Sequence, residues 1–214
     1  EAILKAGYSF ASCSKKAVEE GKVDLNAYQA VDLILGKEKQ TKMGEGKHTP
    51  LRYKTFTTAL QKQISAYTAQ GGHLFVSGAY VASDICDNPL APKCKEEEKF
   101  LADVLHIQWR ADRAATQGKL KEVFSPYFKT TATYPFNQSF DANYYRVESP
   151  DAIEPAHKGA YTTMRYSENN LSAAVAYKGK NRTYVLGVPF ETITSREART
   201  SLMNQVLTFF FQKD

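Results

Sequence analysis

Ser77 ends the short apolar run Leu74-Phe75-Val76 and is followed at once by Gly78 and Ala79. A strand that breaks into a turn of small residues is where many α/β enzymes hold a nucleophile, because the turn lifts one side chain clear of the sheet. A serine in that position needs a histidine base and an acid to orient it. The four histidines are His48, His73, His106 and His157. His73 opens the same strand and so sits at its other end; the sequence places none of the rest beside Ser77. The Gly-x-Ser-x-Gly elbow is not formed, since Phe75 stands where the first glycine belongs.

Carboxylates give a second chemistry. Glu38, Asp84 and Glu191 each follow an apolar run that reads as a strand or its exit. Two suitably spaced carboxyl groups hydrolyse glycosidic bonds, and a polysaccharide lyase needs a base and a charge neutraliser, roles open to Tyr80 and Arg110. The competing role for carboxylates at strand ends is to cap helices and anchor loops. A third option is binding: Tyr127, Phe128, Tyr134, Phe136, Tyr144 and Tyr145 fall in one segment. Exposed, they would stack on sugar rings or partner side chains; buried, they would be a local core. No phosphate-cradling loop, dinucleotide glycine pattern or metal-ligand spacing occurs, so neither cofactor nor metal is expected.

Cys86 and Cys94 bracket Asp-Asn-Pro-Leu-Ala-Pro-Lys. A loop of this length and composition can close a disulfide, which requires an oxidising compartment; the alternative is two thiols in an intracellular loop. Cys13 precedes a short helix pattern, where a thiol is either activated or simply small and half-buried. Asn137, Asn170 and Asn181 each start an Asn-x-Ser/Thr triplet, a motif short enough to arise by chance.

These groups must be positioned by the surrounding elements. Tyr28–Gly36, Leu74–Ser77 and Thr183–Val188 are near-continuous apolar runs, the pattern of strands buried on both faces of a parallel sheet. Phe56, Leu60, Ile64 and Tyr67 recur at helical spacing, so 55–70 is an amphipathic helix stopped by Gly71-Gly72. Strand, helix and strand in this order form a βαβ unit. Further helices are expected at 14–21 and 96–105, and from the capping box Thr194-Ser-Arg-Glu197 onward. His106–Arg110 reads as a strand, as do 161–166 and 173–177, with a turn at Asn181-Arg182. Residues 37–50 read as an exposed loop, and about 114–158 as an irregular, aromatic-rich excursion. Glu1–Gly7 reads as the last turns of a helix, so the chain is expected to be a fragment of a larger protein.

Asp32-Leu-Ile-Leu-Gly-Lys-Glu-Lys39, Gly71–Asp84 and Val185–Phe210 resemble class I glutamine amidotransferase-like, flavodoxin-like domains, and more narrowly those of secreted Bacteroidetes proteins labelled xanthan lyase or golvesin-domain proteins. The resemblance implies an α/β three-layer sandwich, with a largely parallel sheet and helices on both faces. The family's cysteine nucleophile and following histidine have no counterpart here: the matching positions fall at Ser77-Gly78-Ala79 and at Glu191. The resemblance therefore implies a catalytically degenerate domain.

The chain has 214 residues, 43% of them apolar and 24% charged, enough for one α/β domain with a substantial core. The net charge of +5 is spread along the chain without a basic stripe, which excludes an electrostatic nucleic-acid footprint. No run is long and apolar enough for a membrane-spanning helix. The expected function is an accessory domain of a secreted, periplasmic or cell-surface protein linked to polysaccharide processing, with polysaccharide or neighbouring domains as partners. The alternatives are an active lyase or glycoside hydrolase using Glu38, Tyr80, Asp84 and Glu191, and a small-ligand or glycan binding module.

Overall fold

The computed structural model describes residues 1–91 and 94–212. The strands are β1 (Ala30–Gly36), β2 (Thr41–Lys42), β3 (Leu51–Arg52), β4 (His73–Gly78), β5 (Ile107–Ala111), β6 (Lys119–Glu122), β7 (Thr133–Pro135), β8 (Ala152–Pro155), β9 (Ala160–Tyr166), β10 (Ser172–Lys178) and β11 (Arg182–Leu186). The helices are α1 (Ala2–Lys5), α2 (Lys15–Glu19), α3 (Thr58–Ala69), α4 (Ser83–Cys86), α5 (Lys95–Asp103) and α6 (Arg196–Phe211).

The main sheet has seven strands in the order β1-β4-β11-β10-β9-β6-β7. Only β1 with β4 and β4 with β11 run parallel. β11–β10, β10–β9, β9–β6 and β6–β7 are all antiparallel. The sheet curls into a half-barrel. This corrects the expectation of a largely parallel three-layer sandwich, and with it the flavodoxin-like, amidotransferase-like resemblance. The physical reason lies in what apolar runs encode. β4 and β11 lie inside the sheet and are buried along almost all of their length, and together with the edge strand β1, half-buried for most of its length, they are the parallel set. The same burial covers β10, whose first five residues are also buried although both of its pairings are antiparallel. Continuous burial reports what covers a strand, not which way its neighbour runs.

Local chemistry explains the helices. Ser195 accepts the Ala198 amide at 3.1 Å and its hydroxyl meets Glu197, so α6 starts one residue later than the capping box read from sequence. Leu202, Met203, Val206, Leu207 and Phe210 then face Phe75, Tyr184 and Leu186 of the sheet. Arg182 donates to the carbonyls of Phe210 and Gln212, placing a cation at the negative end of α6. On the other face, Leu60 and Ile64 of α3 and Phe100 and Leu101 of α5 cover Leu74, Val76 and Val185.

The strand expected at His106–Arg110 exists as β5 but does not join the main sheet; it pairs with β8 in a separate ribbon. The loop expected at 37–50 contains β2, which pairs with β3. The aromatic excursion supplies β6, β7 and β8. Its Phe128, Tyr134 and Phe136 are buried in the α6-side core.

Candidate functional site

The carboxyl ends of β1, β4 and β11 converge, and a single segment of the excursion closes over them. The Tyr145 hydroxyl donates to Glu191 Oε1 at 2.6 Å. Lys37 Nζ pairs with Glu148 at 2.6 Å and donates to the Arg146 carbonyl at 3.2 Å. Asp151 Oδ2 accepts the backbone amides of Ala82 and Ser83 at 2.8 and 2.9 Å. Its own carbonyl accepts the Tyr166 hydroxyl at 2.7 Å. Gly187 admits this approach, since a Cβ there would lie 2.2 Å from the Asp151 carbonyl oxygen. The strand ends are thus filled by the protein's own side chains. Surface grooves lie elsewhere, one between α3 and α5 and one beside Lys5 and α6.

Four of the five candidate residues have structural partners or surroundings that do not suit their proposed roles. Asp84 is fully buried; Oδ1 accepts Gln40 N at 2.9 Å and Asn88 Nδ2 at 2.6 Å, and Oδ2 accepts Thr55 N at 2.8 Å. It anchors two loops, with neither oxygen left over for a substrate. Glu38 pairs with Lys15, whose ammonium also donates to the Lys54 carbonyl. The Tyr80 hydroxyl is pushed above its ordinary range by burial and by the charges of Glu148 and Asp151. A tyrosine acting as a lyase base would need the opposite shift. The Lys39 ammonium sits 4.9 Å above the same ring. Ser77 is wholly buried, and no histidine bonds its Oγ.

Glu191 differs. Its Oε2 is buried and unpartnered, and so are Asp32 Oδ1 and Ser77 Oγ. Burial, then the charge of Glu191, pushes Asp32 up to about 7. Asp32 is the residue that sequence reasoning missed, although the signal was available: it is the one carboxylate in the apolar run Ala30–Gly36. Asp151 was missed as well. Burial outweighs its two amide bonds and pushes it up to about 7.

The middle aromatics form no exposed row. Phe128, Tyr134 and Phe136 are buried, Tyr127 and Tyr144 are half-buried, and Tyr145 is engaged by Glu191. Within this segment the strongly exposed aromatics are Phe124 and Phe140, each beneath a cation, Lys129 at 4.3 Å and Arg146 at 5.9 Å. Cys94 Sγ lies 3.1 Å from Glu96 Oε2. His106 stacks on Tyr177 with centroids 3.4 Å apart, and burial lowers it to about 4, so it stays neutral. Arg110 is exposed on β5. Among the described residues no three His, Cys, Asp or Glu side chains group as metal ligands. No helix among them is long and apolar enough to cross a membrane.

No protein-family model matches the chain. No curated protein matches it either, so kinship with xanthan lyase or golvesin-domain proteins of Bacteroidetes has no sequence support. Among solved structures, the exo-beta-1,4-mannosidase Op5Man5 from Opitutaceae bacterium strain TAV5 superposes with a TM-score of 0.42 at 15% identity. That match covers 74% of this chain, which spans only 24% of the mannosidase. The mmIFT52 N-terminal domain superposes with a TM-score of 0.47 at 14% identity, over 99% of this chain and 88% of that domain. Both likenesses are too loose to carry an argument about fold or activity.

Proposed function

We propose that the chain is a non-catalytic accessory domain of a secreted or cell-surface protein that handles polysaccharide, and that it works by contact with neighbouring domains. The observation that supports this reading best is the closure of the strand-end crevice by Tyr145, Glu148 and Asp151. A catalytic or ligand-binding crevice has to admit its ligand, and these side chains occupy the space where one would sit. β1 supports the contact role. It is an edge strand with Ile34 55% exposed, and an apolar edge is a template for added structure.

The test is a panel of soluble polysaccharides incubated with the domain and with Glu191→Ala, read by released reducing ends, by absorbance of unsaturated products and by binding isotherms. No turnover and no binding is the expected outcome. Glu191-dependent product release would sink the accessory reading. In the full-length parent protein, Ile34→Lys should loosen the domain's attachment, read as a faster limited-proteolysis cut at its boundary. Export has its own test. Intact mass under non-reducing conditions should fall by two hydrogens if Cys86 and Cys94 are joined in the native protein; an unchanged mass counts against an oxidising compartment.

A further inference from the structure

Asp32 and Ile34 of β1 share a face of the sheet with Phe75 and Ser77 of β4, in parallel register Asp32 to Phe75 and Ile34 to Ser77. The alternate residues Val31, Leu33 and Leu35 face the α3 side. Phe190 packs edge-on against Phe75, with centroids 5.6 Å apart, which hangs the next residue, Glu191, over the same two strands. Glu191 Oε1 lies 3.4 Å from where a Cβ on Gly36 would sit, and Gly36 pairs with Gly78, the neighbour of Ser77. Three oxygens therefore lie toward one face of β1 and β4: Asp32 Oδ1, Glu191 Oε2 and Ser77 Oγ. All three are buried without a hydrogen-bond partner, and Ser77 is 0% exposed.

Two carboxylates at a buried site with no cation are costly. Among the described residues neither Asp32 nor Glu191 has a Lys or Arg partner. Lys37 is taken by Glu148, and Lys39 by the Tyr80 ring. Tyr145 satisfies one oxygen of Glu191 and leaves the other without a partner. A pair of carboxylate oxygens and a hydroxyl is a hard, all-oxygen donor set of the kind that suits Ca²⁺ or Mg²⁺, and such ions keep waters for their remaining positions. β1 is the edge strand, so the patch lies within one strand of the sheet's border. We infer that Asp32, Ser77 and Glu191 form a binding site for a hard divalent cation, which clamps the edge strand β1 to the loop after β11.

The test uses the whole chain, stripped with chelator and dialysed, and titrated at about pH 8 with Tb³⁺ while tyrosine is excited, then with Ca²⁺ or Mg²⁺ as competitor. Tyr145 bonds to a proposed ligand and is the sensitiser. The expected result is saturable terbium emission displaced by Ca²⁺ or Mg²⁺, with affinity at least about tenfold weaker in Asp32→Asn and in Ser77→Ala. Tyr145→Phe should dim the emission more than it weakens binding measured by calorimetry. Asp32→Asn keeps side-chain volume, and circular dichroism on each variant separates a lost site from a lost fold; if Asp32→Asn misfolds, Ser77→Ala decides. The inference is overturned by no saturable emission, by emission that Ca²⁺ and Mg²⁺ both leave in place, or by equal affinity in folded Asp32→Asn.

Discussion

Tyr145 and Glu191 are joined by a 2.6 Å hydrogen bond across 46 residues of chain. The bond links the aromatic excursion to the loop that leaves β11, and it holds the lid over the strand ends. Burial, then the bond to Glu191, raises the phenol far above its ordinary range, so Tyr145 is a donor at every working pH. Tyr145→Phe removes only that donor. Because the pair lies near the surface, a loss of about 1 kcal/mol is expected, read as a lower urea midpoint with an unchanged slope.

Asp84 should be far less tolerant. Asp84→Ala strands three donors, Gln40 N, Thr55 N and Asn88 Nδ2, at a buried point. A cost of about 3 kcal/mol or more is expected, because each buried donor left unpaired forfeits its solvation. Hydrogen exchange should localise the damage to residues 38–56 before the sheet is affected. Damage spread evenly over the chain would contradict the loop-anchor role.

Gly187→Ala tests the seal over β11. The new Cβ would meet the Asp151 carbonyl oxygen at 2.2 Å, and both partners are backbone. Overpacking of this kind costs roughly 1–3 kcal/mol or more, since no side chain can rotate away. A thermal midpoint close to wild type would show that the 150–152 backbone moves freely.

Asp151 gives a pH dependence with a definite sign. Its folded-state value of about 7 lies above the ordinary 3.8, so the folded protein holds a proton that the unfolded chain releases. The stabilisation is complete below about pH 4 and is lost as pH rises through about 7. Asp112 adds to the shift by its charge, after burial. Urea midpoints should therefore fall between about pH 4 and about pH 7, and Asp151→Asn should reduce that slope while keeping an acceptor for Ala82 and Ser83, with Asp32 supplying the remainder. An Asn variant with the wild-type slope would assign the dependence to another group.

Much of the local structure was legible. The run at Leu74–Ser77, the helix at 55–70 and the C-terminal helix follow from periodicity and capping, and each lies within a few residues of its expected place. Pairing was not legible. His106–Arg110 has the composition of a core strand, yet β5 bonds only to β8, a partner supplied from across the excursion. The site was legible in position but not in chemistry. Glu38, Ser77, Tyr80, Asp84 and Glu191 all lie near the strand ends, but sequence cannot show that Asp84 is saturated by amides while Glu191 keeps a bare oxygen. Asp32 was hidden by its neighbours, because an apolar run draws the eye to burial rather than to the one residue for which burial is costly.

The order of strands across the sheet also sets an order in time. β9, β10 and β11 are joined by short hairpins, so their pairing closes small loops and can begin within the emerging C-terminal third. The join between β4 and β11 is different: His73 and Arg182, bonded through the imidazole at 3.1 Å, stand 109 positions apart. A chain that has not yet made β11 would leave β1 and β4 as at most a two-stranded ribbon with both edges unpaired. Such a ribbon is a target for chaperones and a seed for aggregation, and its exposure lasts as long as synthesis of the intervening chain.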